Sequence, residues 1–176
     1  MGHGTAFRLA PSTGGGWTES VLYSFAGGAD GSEPFSGLVF DSLGNLYGTT
    51  AYGGPNGSGT VFELSPISGG GWQETVLYAF SGGSDGGYLP AGLTIDAAGN
   101  LYGLAGLGGS AGGGVAFELS PSGGGVWTET ILYNFAYANS GAFPVGNAIF
   151  DTRGNLYGTT YGSGTGGLGL VFELSP

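Results

Sequence analysis

The chain repeats itself every 55 residues. Trp17, Trp72 and Trp127 keep that spacing, as do Asp41, Asp96 and Asp151, and Asn45, Asn100 and Asn155. Phe7, Phe62, Phe117 and Phe172 form a series of four, so three periods run through the 176 residues and 169–176 repeats 4–11. Such repetition confines the chain to architectures in which one supersecondary unit stacks on copies of itself. A short unit cannot bury its apolar surface alone.

Within one period four segments read as strands: 60–64 (TVFEL), 72–80 (WQETVLYAF), 38–41 (LVFD) and 45–50 (NLYGTT). β-Branched and aromatic residues dominate them, and Gly-rich breaks separate them. In 72–80, alternation places Trp72, Glu74, Val76, Tyr78 and Phe80 on one face and Gln73, Thr75, Leu77 and Ala79 on the other. Between 41 and 45 a tight hairpin is predicted. Gly44 accepts a positive φ there, and the Asp41 carboxylate accepts from the turn's N–H groups. Glycine supplies 43 of the 176 residues. Helical bundles are thereby excluded, since each interior Gly costs about 1 kcal/mol relative to Ala. A repeated four-stranded unit of this length is the signature of a β-propeller blade. The predicted fold is all-β and propeller-like, one repeat domain over 1–176 with three periods and one extra strand. Phe7, Trp17, Tyr23, Phe25, Phe40, Tyr47 and their counterparts are assigned to packing between blades, with the three tryptophans in equivalent buried sites.

Composition removes several function classes. Twelve acidic residues face two basic ones, Arg8 and Arg153, giving a net charge of −10, so phosphate neutralisation and nucleic-acid binding are disfavoured. With 40% hydrophobic and 14% aromatic residues, general disorder is not expected. The absence of Cys removes disulfides, thiol catalysis and Cys-based metal sites. No apolar run approaches the ~18 residues of a membrane span, and 1–10 lacks the features of a targeting signal. Few charges and no Lys suit an extracellular setting.

The residues also carry a family resemblance. GNLYGTT at 44–50 and 154–160, GTVFELSP at 59–66, and GGGW ahead of the WQET strand at 72 resemble the GloVer-type tandem repeat of bacterial proteins. That repeat often accompanies surface-anchoring segments. More distantly, GLVFDSLGNLYG at 37–48 is similar to the first hairpin of NHL-type propeller blades. The resemblance implies propeller-like blades and a place on the bacterial cell surface or outside the cell, and the family brings no defined activity with it. It also sets strand order: LVFD and NLYGTT innermost, TVFEL and the Trp-bearing strand outermost. On that phasing the chain holds a partial blade at 4–25, full blades at 38–80 and 93–135, and a partial blade at 148–176. The middle copy departs from the pattern, with Leu104-Ala105 in place of the paired threonines.

Candidate chemistry is sparse. His3 is the lone histidine, near a terminus expected to fray, and with no Cys it leaves zinc chemistry without ligands. No nucleophile elbow and no P-loop lysine occur. Carboxylates recur in register: Glu19, Glu74 and Glu129 two residues after each Trp; Glu63, Glu118 and Glu173 in the FEL strands; Asp41, Asp96 and Asp151 at the hairpins. Two of them, separated by about 5–9.5 Å, would form the acid and base of glycoside chemistry. Threefold repetition favours a structural role instead, because a catalytic site needs distinct roles in one place. Asp30 and Glu33 in the loop 27–34, with Asp85 in the loop 82–90, are candidate ligands for Ca²⁺, which prefers oxygen donors. Ser140 stands at the aligned position in the third copy. Six aromatic residues fall outside the packing series: Phe35, Tyr52, Tyr88, Tyr137, Phe143 and Tyr161. Of these, Phe35, Tyr88 and Phe143 lie close to loop prolines and form a candidate rim for carbohydrate. The triplet Asn56-Gly57-Ser58 reads as a turn.

The function expected on these grounds is non-enzymatic: an extracellular structural or adhesive module that self-assembles by completing unfinished blades between chains, as a closed oligomer or a filament. The predicted interface comprises Arg8, Trp17, Phe25, Leu170, Phe172 and Glu173. In it 17–25 of one chain extends the sheet that ends at 170–174 of the next, and Arg8 pairs with Glu173. The alternative is a binding or enzymatic propeller acting on sugars or peptides from its loop face.

Overall fold

The computed structural model describes residues 2–88, 91–137, 141–164 and 166–176. Among them the chain is all-β, with thirteen strands in four antiparallel sheets and no helix. A two-stranded sheet comes first, built from β1 (Thr5–Pro11) and β2 (Trp17–Ser24). The second sheet holds β3 (Val39–Phe40), β4 (Leu46–Thr50), β5 (Thr60–Pro66) and β6 (Trp72–Ala79). The third repeats it with β7 (Thr94–Ile95), β8 (Leu101–Ala105), β9 (Gly112–Pro121) and β10 (Trp127–Ala136). The last holds β11 (Ala142–Phe150), β12 (Leu156–Gly162) and β13 (Leu170–Leu174). Each sheet runs in chain order, so every strand pairs with its sequence neighbour. The sheets are propeller-like blades. One boundary differs from the sequence reading: β11 begins at Ala142 rather than 148, because Ala142 and Pro144 continue the ladder opposite Gly162 and Thr160.

Three apolar clusters hold the blades together, one at each interface. Ala6 and Phe25 of the first sheet meet Leu46, Phe62 and Leu64 of the second. Tyr47, Val61 and Phe80 meet Leu93, Leu101 and Phe117. Leu104, Ala116 and Phe135 then meet Ala148 and Leu156, with Phe172 packed alongside. At the centre of each interface two phenylalanine rings meet at steep angles: Phe25 on Phe62 at 5.0 Å, Phe80 on Phe117 at 5.2 Å and Phe135 on Phe172 at 4.9 Å between centroids. Such pairs add to simple burial. The second ring of each pair lies across a glycine. A Cβ on Gly48, Gly103 or Gly158 would stand 2.6, 2.4 or 2.4 Å from the ring tip of Phe62, Phe117 or Phe172. The Gly of the LYG motif therefore provides room for the ring.

A bulge decides which blade each side chain reaches. Phe62 sits opposite Val76 while Val61 sits opposite Tyr78, so Leu77 is an extra residue in β6. Leu22 and Leu132 are the extra residues at the same place in β2 and β10. An extra residue reverses the alternation beyond it. Trp72, Glu74 and Val76 therefore face the preceding blade, whereas Tyr78 and Phe80 face the following one. The expectation that all five share one face is corrected accordingly. Each outer strand grips both neighbours.

The tryptophans are not equivalent. Trp127 is half-buried and meets the Tyr47 ring of the preceding blade edge-on at 6.3 Å. Trp72 packs on the cluster around Phe25. Trp17, expected to be buried, is 68% exposed. It faces backwards, as Trp72 and Trp127 do, and no described sheet lies on that side. Phe7, at 51%, and Phe40 are also exposed: among the described residues no sheet lies behind the first, and the first sheet has no inner strands to cover the second. Trp127→Ala is expected to lower unfolding free energy by about 2–4 kcal/mol, as large aromatic deletions do, and Trp17→Ala by less than about 0.5 kcal/mol in the monomer. Urea denaturation of dilute protein checks both. Gly103→Ala, which sets a methyl against Phe117, should cost about 1–3 kcal/mol by overpacking.

Candidate functional site: carboxyl clusters and open clefts

The recurrent carboxylates divide into three kinds. Asp41, Asp96 and Asp151 each close a hairpin. Asp41 Oδ1 accepts the Leu43 and Asn45 N–H groups at 2.8 Å, and Oδ2 accepts the Asn45 amide at 2.8 Å and the Tyr47 hydroxyl at 3.1 Å. Asp96 repeats this with Ala98, Asn100 and Tyr102, and Asp151 with Arg153, Asn155 and Tyr157. Desolvation opposes ionisation of these carboxyls, but the N–H and amide donors outweigh it and hold all three below their ordinary values. Burial first, then the nearby carboxylates, push the Tyr47 and Tyr102 hydroxyls up to about 12. In the second kind, Glu63, Glu118 and Glu173 accept from the serine two residues on, Ser65, Ser120 and Ser175.

The third kind lies between blades. Tyr78 of β6 reaches Glu129 Oε2 of β10 at 2.9 Å and Asp85 Oδ2 at 3.2 Å. A phenol has one proton and cannot donate to both. The hydroxyl lies within reach of both carboxylates and donates to one of them at a time. Glu129 Oε1 is buried with no partner, and burial with the Asp85 charge raises this carboxyl to about 7 against the hydrogen bond from Tyr78. One interface earlier, Tyr23 donates to Asp30 at 3.1 Å, and burial with the Asp30 charge likewise lifts Glu74 to about 7. Sequence reading had no signal for this pairing, because the bulge that turns Tyr78 towards the next blade is invisible in a period-two pattern.

The loop carboxylates proposed for Ca²⁺ are engaged locally. Asp30 accepts from the Ala26 and Gly28 N–H groups as well as Tyr23, and Asp85 from the Ser81 N–H and hydroxyl as well as Tyr78. Glu33 is exposed and does not join Asp30; no group of three or more potential metal-ligating side chains occurs among the described residues. Ser140 lies outside the described residues. His3 is not frayed as expected: its carbonyl accepts the Glu33 N–H at 2.8 Å and its ring covers Gly27.

The rim aromatics are spread out. Tyr88 meets Tyr52 edge-on at 5.9 Å and Phe143 meets Tyr137 at 5.5 Å. Tyr88 and Phe143 share one register position with Glu33, and all three have positive φ (47°, 56° and 58°). Phe35 lines a separate cleft with Gly92 and Asn147, and Tyr161 is exposed. Asn56 lies in a turn closed by the Gly57 N–H on the Gly54 carbonyl. Among the interface candidates, Phe25 is already buried against Phe62, and Phe172 packs on Phe135. Arg8 stands opposite Ser20, where Glu63 stands opposite Thr75.

Stacked antiparallel sheets joined by one recurring interface define a blade-repeat protein. The chain belongs to the Gloeobacter/Verrucomicrobia repeat family, which matches it over residues 1–176. Comparison with curated proteins finds no match. Among the described residues no helix is long and apolar enough to cross a membrane.

The carboxyl clusters give stability a definite pH profile. Glu74 and Glu129 are raised from 4.5 to about 7, so their contribution is full below about 4.5 and is lost as pH rises to about 7. Asp41, Asp96 and Asp151, lowered from 3.8, contribute above that value and lose their effect on acidification. Thermal stability should therefore peak near pH 4–5 and decline towards pH 7, modestly, since both glutamates are only partly buried. Melting curves of Glu129→Gln, which keeps a neutral group beside Tyr78, should show a shallower decline.

Proposed function

We propose that the chain is a non-enzymatic structural or adhesive module of the extracellular space or bacterial surface, and that it assembles with further copies of itself. One observation carries the reading. The end faces expose the positions that are buried at every interface within the chain. Phe7 is 51% exposed where its counterparts Phe62 and Phe117 are fully buried; Val171 is 76% exposed where Val61 and Ala116 are fully buried. Each face carries part of the contact made three times inside the molecule: among the described residues the first sheet brings its outer strands without inner ones, and the fourth brings β11, β12 and β13 without the outer strand that supplies the forward Phe elsewhere. The perturbed carboxyl pairs support the same reading, because they recur at equivalent places and each is plugged by a tyrosine. A catalytic pair is expected to be unique.

The test is the native mass. Sedimentation at micromolar to millimolar protein should show association that is lost when 169–176 is deleted; a monomer throughout would sink the reading. A second reading, carbohydrate binding, draws on the cleft that Phe35 and Asn147 both line. Calorimetric titration with neutral oligosaccharides separates the two: heat that disappears in Phe35→Ala would favour it.

A further inference from the structure

Among the described residues a positive φ falls on a glycine almost everywhere; the exceptions are Glu33, Tyr88, Phe143 and Ser163. Three of these exceptions share one register position, 55 residues apart, where the chain enters the innermost strand of three successive sheets. The backbone there has fixed work. The Tyr88 N–H donates to the Ser58 carbonyl at 2.9 Å, and the Tyr88 carbonyl accepts the Gly106 N–H at 3.2 Å; Glu33 makes the matching bonds with His3 and Ala51. Glycine makes such bonds without the crowding of a Cβ at positive φ. A chain that sets glycine at nearly every other such position holds Tyr88 and Phe143 here, so the rings themselves need a reason.

Both rings meet a ring from the preceding sheet's part of the chain. Tyr88, ahead of β7, meets Tyr52, which follows β4, at 5.9 Å; Phe143 of β11 meets Tyr137, which follows β10, at 5.5 Å. Tyr52, Tyr88 and Tyr137 are 38%, 36% and 56% exposed. The tyrosines packed between blades, Tyr23, Tyr47, Tyr78 and Tyr102, donate their hydroxyls to carboxylates. The hydroxyls of Tyr52, Tyr88 and Tyr137 engage no described residue. Two aromatic platforms thus stand at successive blade junctions, with Tyr88 and Phe143 one repeat apart. The two arginines lie elsewhere: Arg153 pairs with Asp151 beyond the far end of β11, and Arg8 stands in β1.

We propose that this rim binds an extended neutral polysaccharide, with sugar rings laid against Tyr52 and Tyr88 at one junction and against Tyr137 and Phe143 at the next. A pyranose presents an apolar C–H face that packs on an aromatic ring, and hydroxyls that pair with the tyrosine hydroxyls. Neither arginine stands at the rim, and the net charge of −10 disfavours anionic polymers. Two platforms on a repeating frame fit a repeating ligand, in which binding at one junction assists binding at the next. The inference rests on the carbohydrate reading above, places the ligand on the rim rather than in the Phe35 cleft, and does not depend on assembly.

Calorimetric titration with cellohexaose, xylohexaose and chitohexaose tests it. At least one hexasaccharide is expected to bind, and the corresponding disaccharide to bind at least about tenfold more weakly, because it reaches one platform alone. Asn tolerates positive φ, so Tyr88→Asn and Phe143→Asn should each weaken the hexasaccharide at least about tenfold, while the melting temperature stays within about 3 °C of wild type or rises. A ring whose role is packing behaves in the opposite way. A larger fall in melting temperature, or binding unchanged by both substitutions, therefore overturns the rim. Heat that survives both substitutions and disappears in Phe35→Ala overturns the rim and leaves the carbohydrate reading standing in the cleft. No binding of any of the three hexasaccharides overturns both.

Discussion

The phenylalanine pair at each blade interface is the contact on which the rest depends. Phe62, Phe117 and Phe172 take one position in successive blades, and each receives a ring from the blade before it. The ring approaches closely because a glycine in the adjacent strand leaves space, and it approaches from the correct side because a bulge has turned the outer strand over at Leu22, Leu77 or Leu132. Remove the glycine and the ring is displaced. Remove the bulge and the partner ring points the wrong way. Gly, bulge and ring form one device, and the 55-residue period is the distance at which it recurs.

That device gives every blade two different faces. The backward face carries Phe, Leu and the tryptophan, and the forward face carries the small residue, the second Phe and the tyrosines. A charged group entering such an interface needs a partner from the opposite blade, and Tyr78 provides one for Glu129. The Tyr78 hydroxyl, within reach of both Glu129 and Asp85, offers these acidic residues a hydrogen-bond donor in a chain of net charge −10 with only two arginines. Hydrogen bonding from a tyrosine takes the place of the ion pairs that such a composition cannot supply.

Much of the fold was legible in the sequence. The period, the all-β class, the hairpins closed by Asp41, Asp96 and Asp151 and the family were all readable, because each rests on local chemistry that recurs. What escaped was the consequence of single inserted residues. WQETVLYAF alternates so regularly that Trp72 to Phe80 read as one face, and only the pairing of Val61 with Tyr78 and Phe62 with Val76 reveals the extra Leu77. With that register hidden, the Tyr78–Glu129 contact could not be located. Burial of the tryptophans was misjudged for Trp17 because sequence equivalence does not guarantee an equivalent neighbour.

The phenylalanine contacts have a consequence for how the chain is made. Phe25 and Phe62, Phe80 and Phe117, and Phe135 and Phe172 are each 37 residues apart, so no blade interface waits for a distant part of the chain. A nascent chain leaving the ribosome can close one interface before the next is synthesised. Folding can then advance as a wave from the amino end, with each finished blade serving as the template on which the next one settles.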